Sequence, residues 1–138
     1  MKTIKVLVLN PTGKPEIIEV LNDYKAFKQA INITSPIDCI SRKIGDKYFE
    51  IWCDDEGLYK EDLKASAFCE NANEILAGKI LIANHRGEHT TSLKDEDIAM
   101  IIEHLRCVDE DYSVDYMTSM GMVKMNFNKK GVFLQYKI

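Results

Sequence analysis

The sequence predicts an α+β fold: a mostly antiparallel sheet, two main helices packed on it and a C-terminal β-hairpin. Three observations support this prediction. Several apolar runs of strand length are separated by turn residues. Two stretches carry apolar residues at helical spacing. The chain has 138 residues, the size of one ordinary domain. We therefore assign residues 1–138 to a single domain, with a core over 1–108 and a C-terminal extension over 109–138.

The first part of the chain reads as a hairpin followed by a helix. Ile4–Leu9 and Glu16–Leu21 are apolar runs separated by proline and glycine, so antiparallel pairing is the simplest connection. Asn22 or Asp23 can cap the helix that follows. The apolar residues of this helix recur at helical spacing: Tyr24, Phe27 and Ile31.

The central strand is expected at Lys47–Cys53, which is apolar on both faces. A short strand over Ile37–Ser41 precedes it, and the two should pair antiparallel. The only tryptophan, Trp52, is predicted to be largely buried beneath one of the helices. An acidic turn of three carboxylates and Gly57 ends the strand, because aspartate is poor in strands and glycine permits a positive φ.

The next segments carry weaker patterns. Leu58–Phe68 fits a short helix or an ordered loop, and Glu74–Ala77 fits one helical turn stopped by Gly78. Lys79–Ala83 is apolar nearly throughout, which predicts a central strand. Asn84–Thr91 reads as a polar loop.

The second helix is expected to begin near Lys94, with acidic residues in its first turn. Its apolar stripe follows the i, i+3, i+4, i+7 pattern: Ile98, Ile101, Ile102 and Leu105. A hairpin is then predicted between Val123–Phe127 and Val132–Lys137, connected by a turn over Asn128–Gly131.

Composition and charge restrict the classes of function. The formal net charge is −4, which disfavours nucleic acid as a partner. The four cysteines are far apart in the sequence, and no stretch has the length of a signal peptide's apolar region or a membrane span. We expect a cytoplasmic protein with reduced thiols, no membrane partner and no cofactor.

Four segments together resemble a known family: Ile4–Glu16, Cys53–Gly57, Ala77–Ala83 and Ser92–Ile98. They read I-K-V-L-V-L-N-P-T-G-K-P-E, C-D-D-E-G, A-G-K-I-L-I-A and S-L-K-D-E-D-I, and in this order they resemble domain of unknown function DUF3846. The resemblance covers about residues 3–106 and leaves the C-terminal hairpin outside. It implies a setting in bacteriophages, mobile elements and Gram-positive bacteria, and it implies no established activity.

The chain departs from the family pattern at two places. Lys94 stands where the family usually has a threonine that caps the last helix, so the cap should come from Ser92 or be missing. The asparagine–arginine pair that often follows the acidic turn is replaced by the region Lys64–Ala67. If that pair serves binding in other members, this chain lacks it.

One motif suggests a metal site. His85–His89 reads H-R-G-E-H and fits the H-x-x-E-H pattern of inverted zincins, which need both histidines on one helical face. Gly87 at its centre disfavours a helix, so we predict a loop without metal. A structural zinc site shared with cysteines is the alternative, but the cysteines lack the close spacing that such sites show.

A thiol nucleophile is the next possibility, and Cys53 is its best candidate because it ends a strand beside a turn. The acids that follow it should raise the pKa of its thiol, the wrong direction for a nucleophile. We therefore expect Cys53 to act as a small buried apolar residue, and we assign no catalytic residue.

Two charged segments are the candidate partner-binding sites. One is the acidic turn, which could instead be solvated or hold a divalent cation: Asp54, Asp55 and Glu56. The other is the basic side of the C-terminal hairpin: Lys124, Lys129 and Lys130. Lysines interleaved with aromatic residues can bind single-stranded nucleic acid, and they are equally typical of an amphipathic hairpin with a protected edge.

These observations favour a non-enzymatic binding module, encoded by a phage or mobile element, that modulates a host protein. The alternative is a small-molecule or nucleotide-binding protein with a pocket that sequence cannot show. A third hypothesis is an enzyme with dispersed catalytic residues. The chain is expected to be a monomer or a homodimer.

Overall fold

The computed structural model describes residues 2–54, 64–72, 74–108, 111–118, 121–128 and 133–138. The two helices are α1 Tyr24–Ala30 and α2 Asp95–His104. The strands are β1 Thr3–Leu9, β2 Glu16–Leu21, β3 Ile37–Ile44, β4 Lys47–Asp54, β5 Lys64–Cys69, β6 Glu74–Ala77, β7 Ile80–Arg86, β8 His89–Thr91, β9 Arg106–Cys107, β10 Asp111–Thr118, β11 Gly121–Asn128 and β12 Phe133–Lys137. The predicted α+β class is confirmed.

The largest sheet is antiparallel and has the strand order β2-β1-β7-β4-β3, with β8 extending β7 as a hairpin. The predicted hairpins β1–β2 and β3–β4 are both present, and β3 continues to Ile44, beyond the expected end. β7 lies at the centre of this sheet, between β1 and β4. Its apolar residues are buried because neighbouring layers cover both faces of the sheet.

Helix α1 covers one face of this sheet. Asp23 caps it as predicted, since its carboxylate accepts a hydrogen bond from the backbone N–H of Ala26 at 2.7 Å. The helix packs Phe27 against a cluster of apolar residues from the strands beneath it. The buried members of this cluster are Ile4, Val6, Val8, Phe27, Ile31, Ile37, Leu81 and Ala83.

Trp52 lies under α1, as predicted, but it is half-buried rather than fully enclosed. Its ring centroid is 5.1 Å from that of Phe27 and 6.3 Å from that of Tyr24. The indole Nε1 is itself buried and has no hydrogen-bond partner within the described chain. The tryptophan therefore contributes packing area while its N–H group remains unsatisfied.

We expect Trp52→Ala to lower the free energy of unfolding by about 2–3 kcal/mol, less than for a fully buried aromatic residue because part of the side chain is exposed to solvent. Trp52→Phe should cost much less, since it retains the contact with Phe27 and removes the unsatisfied donor. Denaturant unfolding of both variants measures the difference. Equal losses for the two substitutions would contradict this account.

The opposite face of the large sheet is covered by α2 and by a second sheet with the order β6-β5-β12-β9. Between these layers lies the larger apolar cluster. Its fully buried large members include Leu7, Leu9, Phe49, Ile51, Leu76, Ile80 and Ile82. The chain thus has three layers: α1, the large sheet, and the layer formed by α2 and the second sheet.

Two segments of the second sheet differ from the prediction. Lys64–Cys69 is strand β5, where a helix or ordered loop was expected, and Glu74–Ala77 is strand β6 rather than a helical turn. Ala65 to Cys69 are all buried, so β5 lacks the polar–apolar alternation that identifies a strand. Inside this core, the Ser66 hydroxyl forms hydrogen bonds with the carbonyl oxygens of Leu9 and Gly78. Its polar group is therefore not left without a partner. The remainder of the predicted Leu58–Phe68 element lies outside the described residues.

The C-terminal part contains a β-hairpin, but its strands differ from those predicted. β11 pairs antiparallel with β10, not with the last strand. β12 instead enters the second sheet, where it pairs in parallel with β5 and antiparallel with β9. Its end is held by two backbone hydrogen bonds: Ile138 N–H to Phe68 O at 2.9 Å and Glu70 N–H to Ile138 O at 2.8 Å.

The turn between β3 and β4 shows how closely α2 approaches the sheet. Gly45 has a φ of 70°, which favours glycine. A Cβ atom placed on Gly45 would lie 2.7 Å from Sδ of Met100 on α2. The positive φ therefore favours glycine in this turn, and a larger residue would also require the Met100 side chain to shift.

Candidate functional site

Strand β2 forms an open edge of the large sheet. Among the described strands it pairs with β1 only. Ile17 and Leu21 are 50% and 44% exposed, respectively. The register places Ile17 opposite Leu7 and Leu21 opposite Thr3, so both side chains lie on the face that α2 and the second sheet cover elsewhere. We call the exposed residues of this strand the β2 edge: Glu16, Ile17, Glu19 and Leu21.

The other face of β2 is anchored. Ile18 and Val20 point to the opposite side of the strand and pack against the cluster beneath α1. The strand is therefore held in an extended conformation from one side while Ile17 and Leu21 remain accessible on the other. Apolar residues on both faces are unusual for an edge strand, and this pattern is the signal in E-I-I-E-V-L that could have identified the β2 edge from sequence.

The opposite edge of the sheet is partly occupied. The amide of Asn71 donates to the backbone carbonyl of Lys43 in β3 at 3.2 Å. The guanidinium of Arg42 forms two hydrogen bonds of 2.9 Å with the carboxylate of Glu74 in β6. These contacts join β3 to the second sheet, so β3 offers less free backbone than β2.

The predicted acidic site falls at the end of β4. Asp54 is half-buried there, and its carboxylate accepts a hydrogen bond from the Ser35 hydroxyl at 3.0 Å. This hydrogen bond connects β4 with the segment that precedes β3, so the Asp54 carboxylate already has a partner within the chain. Asp55 and Glu56 lie outside the described residues.

The predicted basic site, like the acidic one, lies only partly within the described residues. Lys124 is exposed on β11, opposite Asp115 of β10 in the hairpin register. Lys129 and Lys130 lie outside the described residues. Lys124 and Asp54 belong to different sheets, so the structure gives no indication that the two charged segments form one site.

The H-R-G-E-H motif forms the β7–β8 hairpin, which corrects the expected loop over Asn84–Thr91. Gly87 occupies the first turn position with a φ of 63°, as a type II′ turn requires. His85 lies opposite Thr90, and His89 lies opposite Arg86. Adjacent cross-strand pairs face opposite sides of a hairpin, so the two imidazoles point away from each other. The helical geometry of a zincin is absent from this hairpin.

We expect the chain, purified without a metal-affinity tag, to contain well under one zinc per molecule, because His85 and His89 cannot converge on one ion from opposite faces. Elemental analysis measures the content directly. The control is a His85→Ala/His89→Ala variant, whose melting temperature should respond to added zinc as the wild type does. Stoichiometric zinc that disappears in this variant would overturn the expectation.

The thiols of Cys39, Cys53 and Cys69 are unsuited to nucleophilic attack because each has a raised pKa. Burial, followed by the charges of Glu74 and Asp38, raises the pKa of the Cys53 thiol to about 12. The direction agrees with the prediction, but the cause is mainly burial rather than the acidic turn. Burial likewise raises the pKa of Cys39 to about 12, and it raises the pKa of Cys69. All four cysteines are free.

Within the described ranges, no group of three or more histidine, cysteine, aspartate or glutamate side chains is arranged to hold a metal ion. Neither of the two helices in the described part of the chain, α1 and α2, is long and apolar enough to cross a membrane.

Comparison with known proteins gives one match. The profile of the family described as "Domain of unknown function (DUF3846)" matches residues 4–106. This range ends at β9 and so excludes β10, β11 and β12. The comparisons with curated proteins and with solved structures found no match.

Proposed function

This chain belongs to the DUF3846 family, whose function is unknown, and we propose that it is a non-enzymatic binding module that binds a host protein through the β2 edge. The setting in a phage or mobile element comes from the family resemblance. The observation that carries the proposal is an edge strand with two apolar residues, Ile17 and Leu21, about half exposed on one face.

The β2 edge is suited to strand addition. An extended segment of a partner can align beside an edge strand and form main-chain hydrogen bonds, while pockets for alternate side chains supply specificity. Ile17, Glu19 and Leu21 occupy successive positions on the accessible face. The matching partner segment therefore presents an apolar, a basic and an apolar residue in alternation, because opposite charges stabilise cross-strand pairs.

The polar side chains of the described chain support binding rather than catalysis. The thiols of Cys39 and Cys53 have raised pKa values, which disfavours a nucleophilic role for them. Asp97, the most buried carboxylate, accepts hydrogen bonds from three donors and so is held in a structural role. The sequence-predicted contacts remain further candidates for the same partner: Asp54, Asp55, Glu56, Lys124, Lys129 and Lys130.

The test compares variants of the immobilised protein in a lysate of the bacterial host. Ile17→Lys/Leu21→Lys places positive charge on the β2 edge and should weaken capture of the host protein by at least about tenfold. The matched control is Tyr48→Lys/Ile102→Lys, which changes two residues that are 56% and 45% exposed elsewhere. This control should bind as the wild type does.

Hydrogen exchange with the purified partner then locates the contact. Backbone amides of β2 should exchange more slowly in the complex, whereas amides of β3 should be unchanged. Equal loss of binding in both variants, or protection confined to β3, would refute strand addition at the β2 edge. Melting temperatures of both variants confirm that each remains folded.

A further inference from the structure

A cleft lies where the β7–β8 hairpin meets the start of α2. Its volume is about 580 Å³, within the range of roughly 300–1,000 Å³ typical of small-molecule sites. The residues that line it come from β4, β7, β8 and the segment before α2. They are Lys47, Asn84, His85, Arg86, Thr91, Ser92, Leu93 and Lys94.

The lining is cationic although the whole chain is acidic. Lys47, Arg86 and Lys94 bring positively charged side chains from separate parts of the chain, and Lys47 among them is paired with the Asp97 carboxylate. Arg86 and Lys94 are exposed and make no ion pair with any described residue. The Thr91 side chain adds a half-buried hydroxyl. These groups can donate several hydrogen bonds to one anion, with the guanidinium able to bind in a bidentate manner.

The carboxylates nearby do not cancel this charge. The Asp97 carboxylate forms an ion pair with Lys47, with its Oδ1 atom 2.9 Å from the Lys47 Nζ atom. Asp95 is drawn toward β1, where its carboxylate lies 3.5 Å from Nζ of Lys5. Glu88 and Glu96 are exposed and are not among the residues that line the cleft. The cleft therefore retains unpaired positive charge.

The frame of the cleft is fixed by hydrogen bonds at its base. The Asn84 side chain, 6% exposed, donates to Asp97 Oδ2 at 3.2 Å. The backbone N–H of Lys94 donates to the same oxygen at 2.9 Å. Because this carboxylate connects β7 with the start of α2, both walls are already in position before any ligand arrives.

We propose that this cleft binds a small phosphorylated molecule, an activity beyond protein binding at the β2 edge. Lysine, arginine and hydroxyl donors converging in a concave site match the oxygens of a phosphate or diphosphate group. The lining contains no Phe, Tyr or Trp ring on which a nucleobase could stack. The ligand is thus recognised mainly through its phosphate groups, and the His85 imidazole is the one aromatic ring in the lining.

Pyrophosphate is the probe for the test. Titrated into isotope-labelled protein at low ionic strength, it should shift the amide resonances of residues 84–86 and 91–96 in a saturable way. Arg86→Gln/Lys94→Gln should weaken its binding by about tenfold or more, because it removes both unpaired cations. Lys47 is left unchanged because it holds Asp97.

The matched control, Lys25→Gln/Lys43→Gln, removes the same charge from exposed positions outside the cleft. It should bind pyrophosphate as the wild type does. Adenosine monophosphate should bind no more tightly than inorganic phosphate. Absence of saturable shifts in the cleft, equal weakening in both double variants, or markedly tighter binding of the nucleotide would each overturn the proposal.

Discussion

Deletion of residues 133–138 is expected to lower the free energy of unfolding by about 3–5 kcal/mol and the melting temperature by about 10 °C or more. β12 lies between β5 and β9, so its removal leaves backbone groups of both strands without partners. It also removes Tyr136 and Ile138, which pack against the larger apolar cluster. Thermal melting and binding of a hydrophobic dye measure the loss.

Side-chain variants separate this effect from a general effect of truncation. Tyr136→Ala should destabilise the protein, whereas Tyr48→Ala should cost little because Tyr48 is 56% exposed. Sizing chromatography tests the dimer alternative: a dimeric wild type and a truncated monomer of unchanged melting temperature would place the strand in an intermolecular contact. A truncated protein with unchanged mass and melting temperature would show that β12 contributes nothing.

Asp97→Ala is expected to lower the free energy of unfolding by about 3 kcal/mol. Asp97 is 3% exposed and accepts hydrogen bonds from the Lys47 ammonium, the Asn84 amide and the Lys94 backbone. Its loss leaves the buried Asn84 amide without this acceptor and removes the partner of the Lys47 ammonium. Asp95→Asn is the matched control, because the Asp95 side chain is 96% exposed and its contact with Lys5 should contribute about 0–1 kcal/mol.

The stabilisation by Asp97 should also depend on pH. Burial alone would raise its pKa, but the hydrogen bonds from Lys94 and Lys47 and their charges outweigh burial, so the pKa is lowered in the folded state. A carboxyl group with a lowered folded pKa contributes stability above its unfolded pKa, about 3.9. That contribution is lost as the pH falls through the folded pKa. The stability difference between wild type and Asp97→Asn should therefore shrink below about pH 4. A difference independent of pH would contradict the role of the ionised carboxylate.

The sequence was sufficient where periodicity and capping agree. Local patterns match burial for the strand pairs β1–β2 and β3–β4 and for the Asp23 cap. Of the predicted α2 stripe, Ile98 and Ile101 are buried, whereas Ile102 is 45% exposed. The cap of α2 is different. Ser92 accepts the backbone N–H of Lys5 instead of capping the helix, and Lys94 provides no side-chain cap. At this helix start, the Asp97 carboxylate accepts a hydrogen bond from the backbone N–H of Lys94.

The strands β5 and β6 of the second sheet could not be predicted because they are short and buried on both faces. β5 contains two alanines, which favour helices. Its partner β12 is distant in the sequence, so no local pattern reveals the pairing. The candidate sites show the same limit. The β2 edge and the cleft depend on which strands remain unpaired and which loops meet, and neither is determined by a local pattern.

The parallel pairing of β5 with β12 also has a consequence for biosynthesis. β5 acquires this neighbour only after residues 133–137 have left the ribosome. Until then one edge of an apolar strand is exposed, which is a hazard for aggregation. Contacts so distant along the chain also slow folding, since loop closure precedes the stabilising contacts. A chain that stops before residue 133 would therefore leave this edge of β5 without its partner strand.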